Sequence, residues 1–224
     1  MKKPVVDYRS FRLSKINDPE FSHLKLLLGW IGYFAMYFIT ENFIPVRDCY
    51  VVHSPLDDMI PFCEAFVIPY VLWYLLIVVT LVYFALYNVE NFKSFQIFII
   101  TTQITAMIIY IAFPNMQDLR PAEFPRDNVL TDLVGLIYSV DTDTNVCPSL
   151  HVAYSIGIMS AWLKEKSASI PWKTFVIIMV ILICMSTVFI KQHSVIDFFA
   201  AIPVCILAEG SAYGKHYKKK LKKA

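Results

Sequence analysis

The chain has 224 residues, of which 57% are hydrophobic and 17% charged, with a mean hydropathy of +0.55 and a formal net charge of +2. Ordinary soluble domains carry about 25% charged residues and about 45–50% apolar ones. The departure on both counts excludes a soluble globular domain, a disordered chain and a nucleic-acid binder. The 5 cysteines contain no Cys-x-x-Cys pair, so neither a disulfide framework nor a thiolate zinc site is indicated. Cys49 and Cys147 are placed to meet outside the membrane, reduced or bridged.

A helix that crosses a bilayer needs about 20 mostly apolar residues. Six segments fit that pattern, at residues 24–44, 62–87, 94–113, 149–163, 171–190 and 194–213. The expected fold is an all-α integral membrane protein, a bundle of six transmembrane helices. Residues 1–23 form a cytoplasmic N-terminal segment, 24–213 the membrane domain, and 214–224 a basic cytoplasmic tail. A long polar stretch precedes the first span and no small-residue cleavage site follows it, so it does not read as a signal peptide.

Lys and Arg in the connections set the orientation. Of the 20 basic residues, all but four fall on one side of this topology, which makes both termini cytoplasmic. The four are Arg47, Arg120, Arg126 and Lys191. The tail lysines Lys218, Lys219, Lys220, Lys222 and Lys223 suit an anionic inner leaflet or serve as a topology signal alone. On the outer side, residues 114–146 are too long for a plain connector. There Asp127 is a candidate cap. Val129, Leu130, Leu133, Val134, Leu136, Ile137 and Val140 recur at helical spacing. They predict an amphipathic extracytoplasmic helix, lying in the interface or packed on the bundle as a lid.

Ionisable residues at membrane depth are costly and need a reason. His151 lies in the first turns of the fourth span. His193 and Asp197 open the sixth, four apart and so on one helical face. Lys191 and Arg120 share their side of the membrane. Asp197 can fix the tautomer of His193 and leave its other nitrogen as a nucleophile. His151 can act as general acid. Arg120, Lys191, Ser149 and the helix start after Pro148 can hold phosphate oxygens. Such a set suits phosphoryl transfer. Two His and one Asp also suit zinc, an alternative that Arg120 disfavours. Residues 57–62 either shape a headgroup pocket or cap the second span.

At these residues the chain resembles the type 2 phosphatidic acid phosphatase superfamily. That family has a Lys seven residues before an Arg-Pro pair, then Pro-Ser-Gly-His, then Ser-Arg followed after five residues by a His, with an Asp four beyond. Arg120 and Pro121 resemble the end of the first motif. Pro148, Ser149, Leu150 and His151 resemble the second, and Ser186, His193 and Asp197 the third. The resemblance covers residues 60–205. It implies that His193 becomes a phosphohistidine, that Asp197 orients it, that His151 protonates the leaving group, and that Arg120 and Ser149 bind phosphate. It implies no cofactor and no metal; the expected partners are a lipid phosphate substrate and membrane lipids. Three positions depart from the pattern: Phe113 stands for the Lys, Thr187 for the Arg and Leu150 for the Gly. Pro148-Ser149-Leu150-His151 and Thr187 in place of Arg are similar to the branch of inositol phosphorylceramide synthases, related to sphingomyelin synthases, in which an alcohol takes the phosphoryl group. Loss of two cations also leaves open a non-catalytic lipid-binding or transport protein.

Overall fold

The structure, a computed structural model, describes residues 3–43 and 48–221. Arg47, Lys222 and Lys223 lie outside the described residues, as do the side chains of Lys218, Lys219 and Lys220. The described chain is mainly helical, with almost no strand. In chain order the helices are α1 (Leu28–Phe43), α2 (Pro55–Met59), α3 (Val67–Tyr87), α4 (Val89–Ala112), α5 (Val129–Val140), α6 (Leu150–Lys164), α7 (Ile170–Phe189) and α8 (Val195–Leu221). Two short strands, β1 (Tyr50–Val51) and β2 (Asn115–Met116), pair in parallel, Tyr50 opposite Asn115.

Among the described residues, four helices are long and apolar enough to cross a membrane: Glu64–Tyr87, Val89–Ala112, Ile170–Phe189 and Val195–Gly214. The first includes a 3-10 turn, Glu64–Phe66, that leads into α3. The other two expected spans are helices α1 and α6, of 16 and 15 residues. At 1.5 Å per residue their described lengths come to about 22–24 Å, against a hydrocarbon layer of roughly 30 Å.

The helix ends follow local chemistry. The side chain of Asn88 caps α4, Ser149 caps α6, and Ser169 caps α7 with Pro171 in its first turn. The cap of α5 is Asn128 rather than the expected Asp127. Its side-chain oxygen accepts from the Leu130 and Thr131 amides at 2.9 and 3.2 Å, while the Thr131 hydroxyl accepts from the Asn128 amide at 2.9 Å. That reciprocal pair satisfies helix-start donors in a way that an acid one residue earlier does not.

The core lies between α3, α4, α6, α7 and α8. Phe84, Phe95, Phe98, Ile99, Ile158 and Ile183 are fully buried there. Polar side chains link the helices: Trp30 Nε1 donates to Gln96 Oε1, Trp162 Nε1 to Thr80 Oγ1, and the Tyr213 hydroxyl to Asn91 Oδ1, at 3.0–3.1 Å. Gly157 of α6 packs tightly against α4. A Cβ there would meet the buried ring of Phe98 at 2.7 Å. Gly157→Ala is therefore expected to destabilise the fold by about 1–3 kcal/mol through overpacking. Thermal unfolding in detergent checks this, and an unchanged midpoint would contradict the packing described.

Helix α5 rests on the bundle through Val134 and Ile137, which pack with Val67, Tyr70 and Ile190. Its other face leaves Val129, Leu136 and Val140 exposed. The apolar periodicity read in the sequence thus splits between two sides of this helix.

Candidate functional site

The site is built where the starts of α3, α6 and α8 meet the ends of α4, α5 and α7. Asn115 fixes the approach to α6. It is fully buried; its Oδ1 accepts from the Val146 and Cys147 amides at 2.9 and 2.8 Å, and its Nδ2 donates to the Cys147 carbonyl at 3.0 Å. The Tyr110 hydroxyl donates to the Pro148 carbonyl at 2.7 Å. Helix α6 then starts at a defined point and presents His151 one residue into the helix.

His193 and Asp197 meet as their spacing predicts. Nδ1 of His193 lies 3.1 Å from Oδ2 of Asp197, which also accepts from the Ser194 amide at 2.9 Å. Both residues are buried. The His151 and His193 rings are 5.7 Å apart between centroids, and His151 packs against Tyr70 and Trp73 at 4.7 and 4.5 Å. The Cys147 thiol is pushed up to about 12, first by burial and then by the negative charge of Asp197. It stays protonated at neutral pH.

His151 and His193 both line a cavity of about 290 Å³. Its wall also includes Trp30, Tyr33, Tyr37, Trp73, Tyr154, Gln192 and Asp141. Among the described residues no three or more His, Cys, Asp or Glu are grouped to hold a metal ion.

The three expected phosphate binders lie around the cavity rather than on its wall, and each is bonded to the protein. Ser149 is fully buried, and its Oγ accepts from the Val152 amide at 3.4 Å. Arg120 reaches the C-terminal end of α5, where Nη1 and Nη2 donate to the carbonyls of Tyr138 and Asp141 at 3.2 and 2.6 Å. A cation is favoured there by the helix dipole, and the guanidinium also stacks 4.5 Å above the Tyr138 ring. Lys191 donates from Nζ to the carbonyls of Asp57 and Ile60, each at 2.6 Å. Its backbone is left-handed, φ 56°, which reverses the chain after α7. Side-chain bonds to the α2 segment offset the cost of that conformation in a non-glycine residue.

Asp57 is the residue whose role sequence reasoning left undecided. It is fully buried. Its Oδ2 accepts from the Ser194 hydroxyl at 2.6 Å and the Ser54 amide at 2.8 Å, and its Oδ1 from the Val195 amide at 2.8 Å. It therefore completes the capping box of α2 and, through space, caps α8. It neither caps the second span nor lines the cavity. With Lys191 it clamps the turn that carries His193 and Asp197. Asp141 and Gln192 are further wall residues that no motif marked. Gln192 Nε2 and the Tyr70 hydroxyl both donate to Asp141 Oδ2 at 2.9 Å.

No family model, curated protein or solved structure matches this chain.

His53 forms a separate, exposed group with two carboxylates. Nδ1 and Nε2 of His53 each sit 3.0 Å from a carboxylate, of Asp118 and Asp58 respectively. Those contacts, Asp118 first, raise the imidazole above its usual 6.5. The raised value means that its contribution is complete below about 6.5 and is lost as pH climbs through the raised pKa. Titration of ¹³C-labelled His53 by NMR should show a midpoint above 6.5 that falls in Asp118→Asn. A wild-type midpoint below 6.5 would disprove the double contact.

Proposed function

We propose that the chain is a membrane-embedded lipid phosphatase or phosphotransferase working through a phosphohistidine at the outer membrane face. The observation that carries this reading is the buried contact between His193 Nδ1 and Asp197 Oδ2, 3.1 Å long, on a histidine that also borders the cavity beside His151. Asp197 holds the proton on Nδ1 and so leaves Nε2 with its lone pair. Nε2 attacks phosphorus; the N–P bond forms as the bond to the leaving oxygen breaks. Protonated His151 gives that oxygen its proton. Neutral His151 then takes a proton from the acceptor hydroxyl, which attacks phosphorus and breaks the N–P bond. With water as acceptor the product is phosphate; with an alcohol it is a new phosphoester, as in the inositol phosphorylceramide synthase-like branch.

In this reading α1 and α6 complete a bundle of six spans, both termini are cytoplasmic, and α5 lies in the outer interface. Lys93, Lys164 and Lys166 all border a cavity beside Tyr213, far along α8 from His193, which supports that orientation. A mainly apolar cavity between α1 and α4, lined by Gly29, Gly32 and Met107, shares Tyr33 with the site cavity and suits an acyl chain. The absence of Lys and Arg among the described cavity-wall residues favours a second reading, a non-catalytic lipid-binding or transport protein.

The deciding experiment is brief incubation with ³²P-labelled lipid phosphates, followed by alkaline quench. Acid-labile, alkali-stable label on His193 supports transfer. Its absence across a panel of lipid phosphates and phosphodiesters supports the non-catalytic reading.

A further inference from the structure

The site cavity has the ionic character that suits a cation. Its described wall holds one carboxylate, Asp141, and no Lys or Arg. Aromatic rings make up much of the rest. Trp73 stacks on Tyr154 at 5.9 Å between centroids, Tyr154 meets Trp30 at 5.6 Å, Trp73 meets Tyr74 at 4.9 Å, and Tyr33 meets Tyr37 at 5.9 Å. The Asp141 carboxylate is held by neutral donors, the Tyr70 hydroxyl and Gln192 Nε2. Arg120 bonds to the Asp141 backbone carbonyl. Among the described residues it forms no ion pair with the carboxylate.

Ring faces carry negative potential and attract an ammonium within about 6 Å of the centroid. A full negative charge in the same half-open cavity adds to that attraction, because its low-dielectric walls weaken screening. A quaternary ammonium also has no N–H groups that need partners, so an aromatic wall desolvates it at small cost.

We propose that this cavity binds a quaternary or alkylated ammonium group, with Asp141 as counter-charge and the Trp30, Tyr33, Trp73, Tyr74 and Tyr154 rings as its wall. If His193 transfers phosphoryl groups, the ester it acts on carries that ammonium in its headgroup. This last step rests on the proposed function; the binding itself does not. The neighbouring histidines then meet the phosphorus of a zwitterion whose own cation is already balanced by Asp141.

The test uses purified protein in maltoside detergent, which has no ammonium group. Choline and its uncharged isostere 3,3-dimethylbutan-1-ol are titrated separately, and the fluorescence of the wall tryptophans is read. Choline should bind at least about tenfold more tightly than the alcohol. Asp141→Asn should bring the two within about threefold, because it removes the charge and keeps the shape. Tyr74→Leu, at a partly exposed position, is the second variant if Asp141→Asn does not fold. It should weaken choline by about three- to tenfold and leave the alcohol unchanged. Equal binding of the two ligands by the wild type, or tighter binding of inorganic phosphate than of choline, overturns the proposal. His193→Ala separates the two readings. Choline binding that persists in this variant, together with failure to trap phosphohistidine in the wild type, sinks the chemistry alone. Trapped phosphohistidine without choline selectivity sinks the ammonium site alone.

Discussion

Under the proposed phosphohistidine mechanism, His193→Ala is expected to abolish phosphoenzyme formation and lipid phosphoester turnover, while the protein still elutes as a folded species. Among the described residues, His193 is the one side chain that both contacts Asp197 and lines the cavity. Asp197→Asn is the sharper test. An amide can donate to Nδ1 and so favour the proton on Nε2, which turns the nucleophilic lone pair away from the cavity. Comparable tautomer errors in a Ser-His-Asp triad lower turnover on the order of 10⁴-fold, and a loss of about that size is expected here. Asp197 also accepts from the Ser194 amide, so the thermal midpoint must be measured with the rate. Turnover in either variant within about tenfold of wild type would remove His193 as nucleophile. His151→Gln is expected to slow substrates with poor leaving groups more than those with good ones, as general-acid catalysis requires. Equal loss for both would remove its acid role.

The second large effect is expected at Asp57, which touches neither histidine. Asp57→Ala strips a buried acceptor from the Ser194 hydroxyl, the Val195 amide and the Ser54 amide. Bonds to a charged group are worth about 1.5–3 kcal/mol each, and donors left buried without a partner add to the loss. A destabilisation of about 3 kcal/mol or more is expected. It would be read as a lower midpoint in chemical unfolding. Asp57→Asn keeps one acceptor and should lose less. If both variants unfold like the wild type, the clamp between α2 and the start of α8 carries no weight.

Much of this molecule was readable from the chain because apolar runs and His-Asp spacing are local signals. Four of the six apolar runs coincide with helices long and apolar enough to cross a membrane, and His193 and Asp197 meet because four residues is about one helical turn. His151 joined them through the shared end of the bundle. The fates of Arg120 and Lys191 were not readable. A cation near a phosphate motif invites a phosphate-binding role, yet the C-terminal carbonyls of α5 and of α2 compete for it and lie closer. The choice depends on contacts across 18–134 positions of sequence, which no periodicity encodes. Asp127 and Asn128 were a near miss of the same local kind, since both are good caps and only backbone direction separates them. Asp141 gave no signal, being one of several acids in a polar loop; its importance comes from the rings brought round it by α1, α3 and α6.

The clamp also constrains how the protein is made. Asp57 leaves the ribosome well over a hundred residues before Ser194 and Val195, its partners across the fold. Until they arrive its carboxylate has only the local Ser54 amide and must stay hydrated, so α2 cannot sink into its final seat. Insertion of the last helix is what delivers the hydroxyl and amide that let this acid dehydrate, and the same event brings His193 and Asp197 beside His151. Biogenesis therefore ends with the candidate site: a nascent chain halted after α7 is expected to hold most of its apolar mass and His151, but neither His193 nor Asp197.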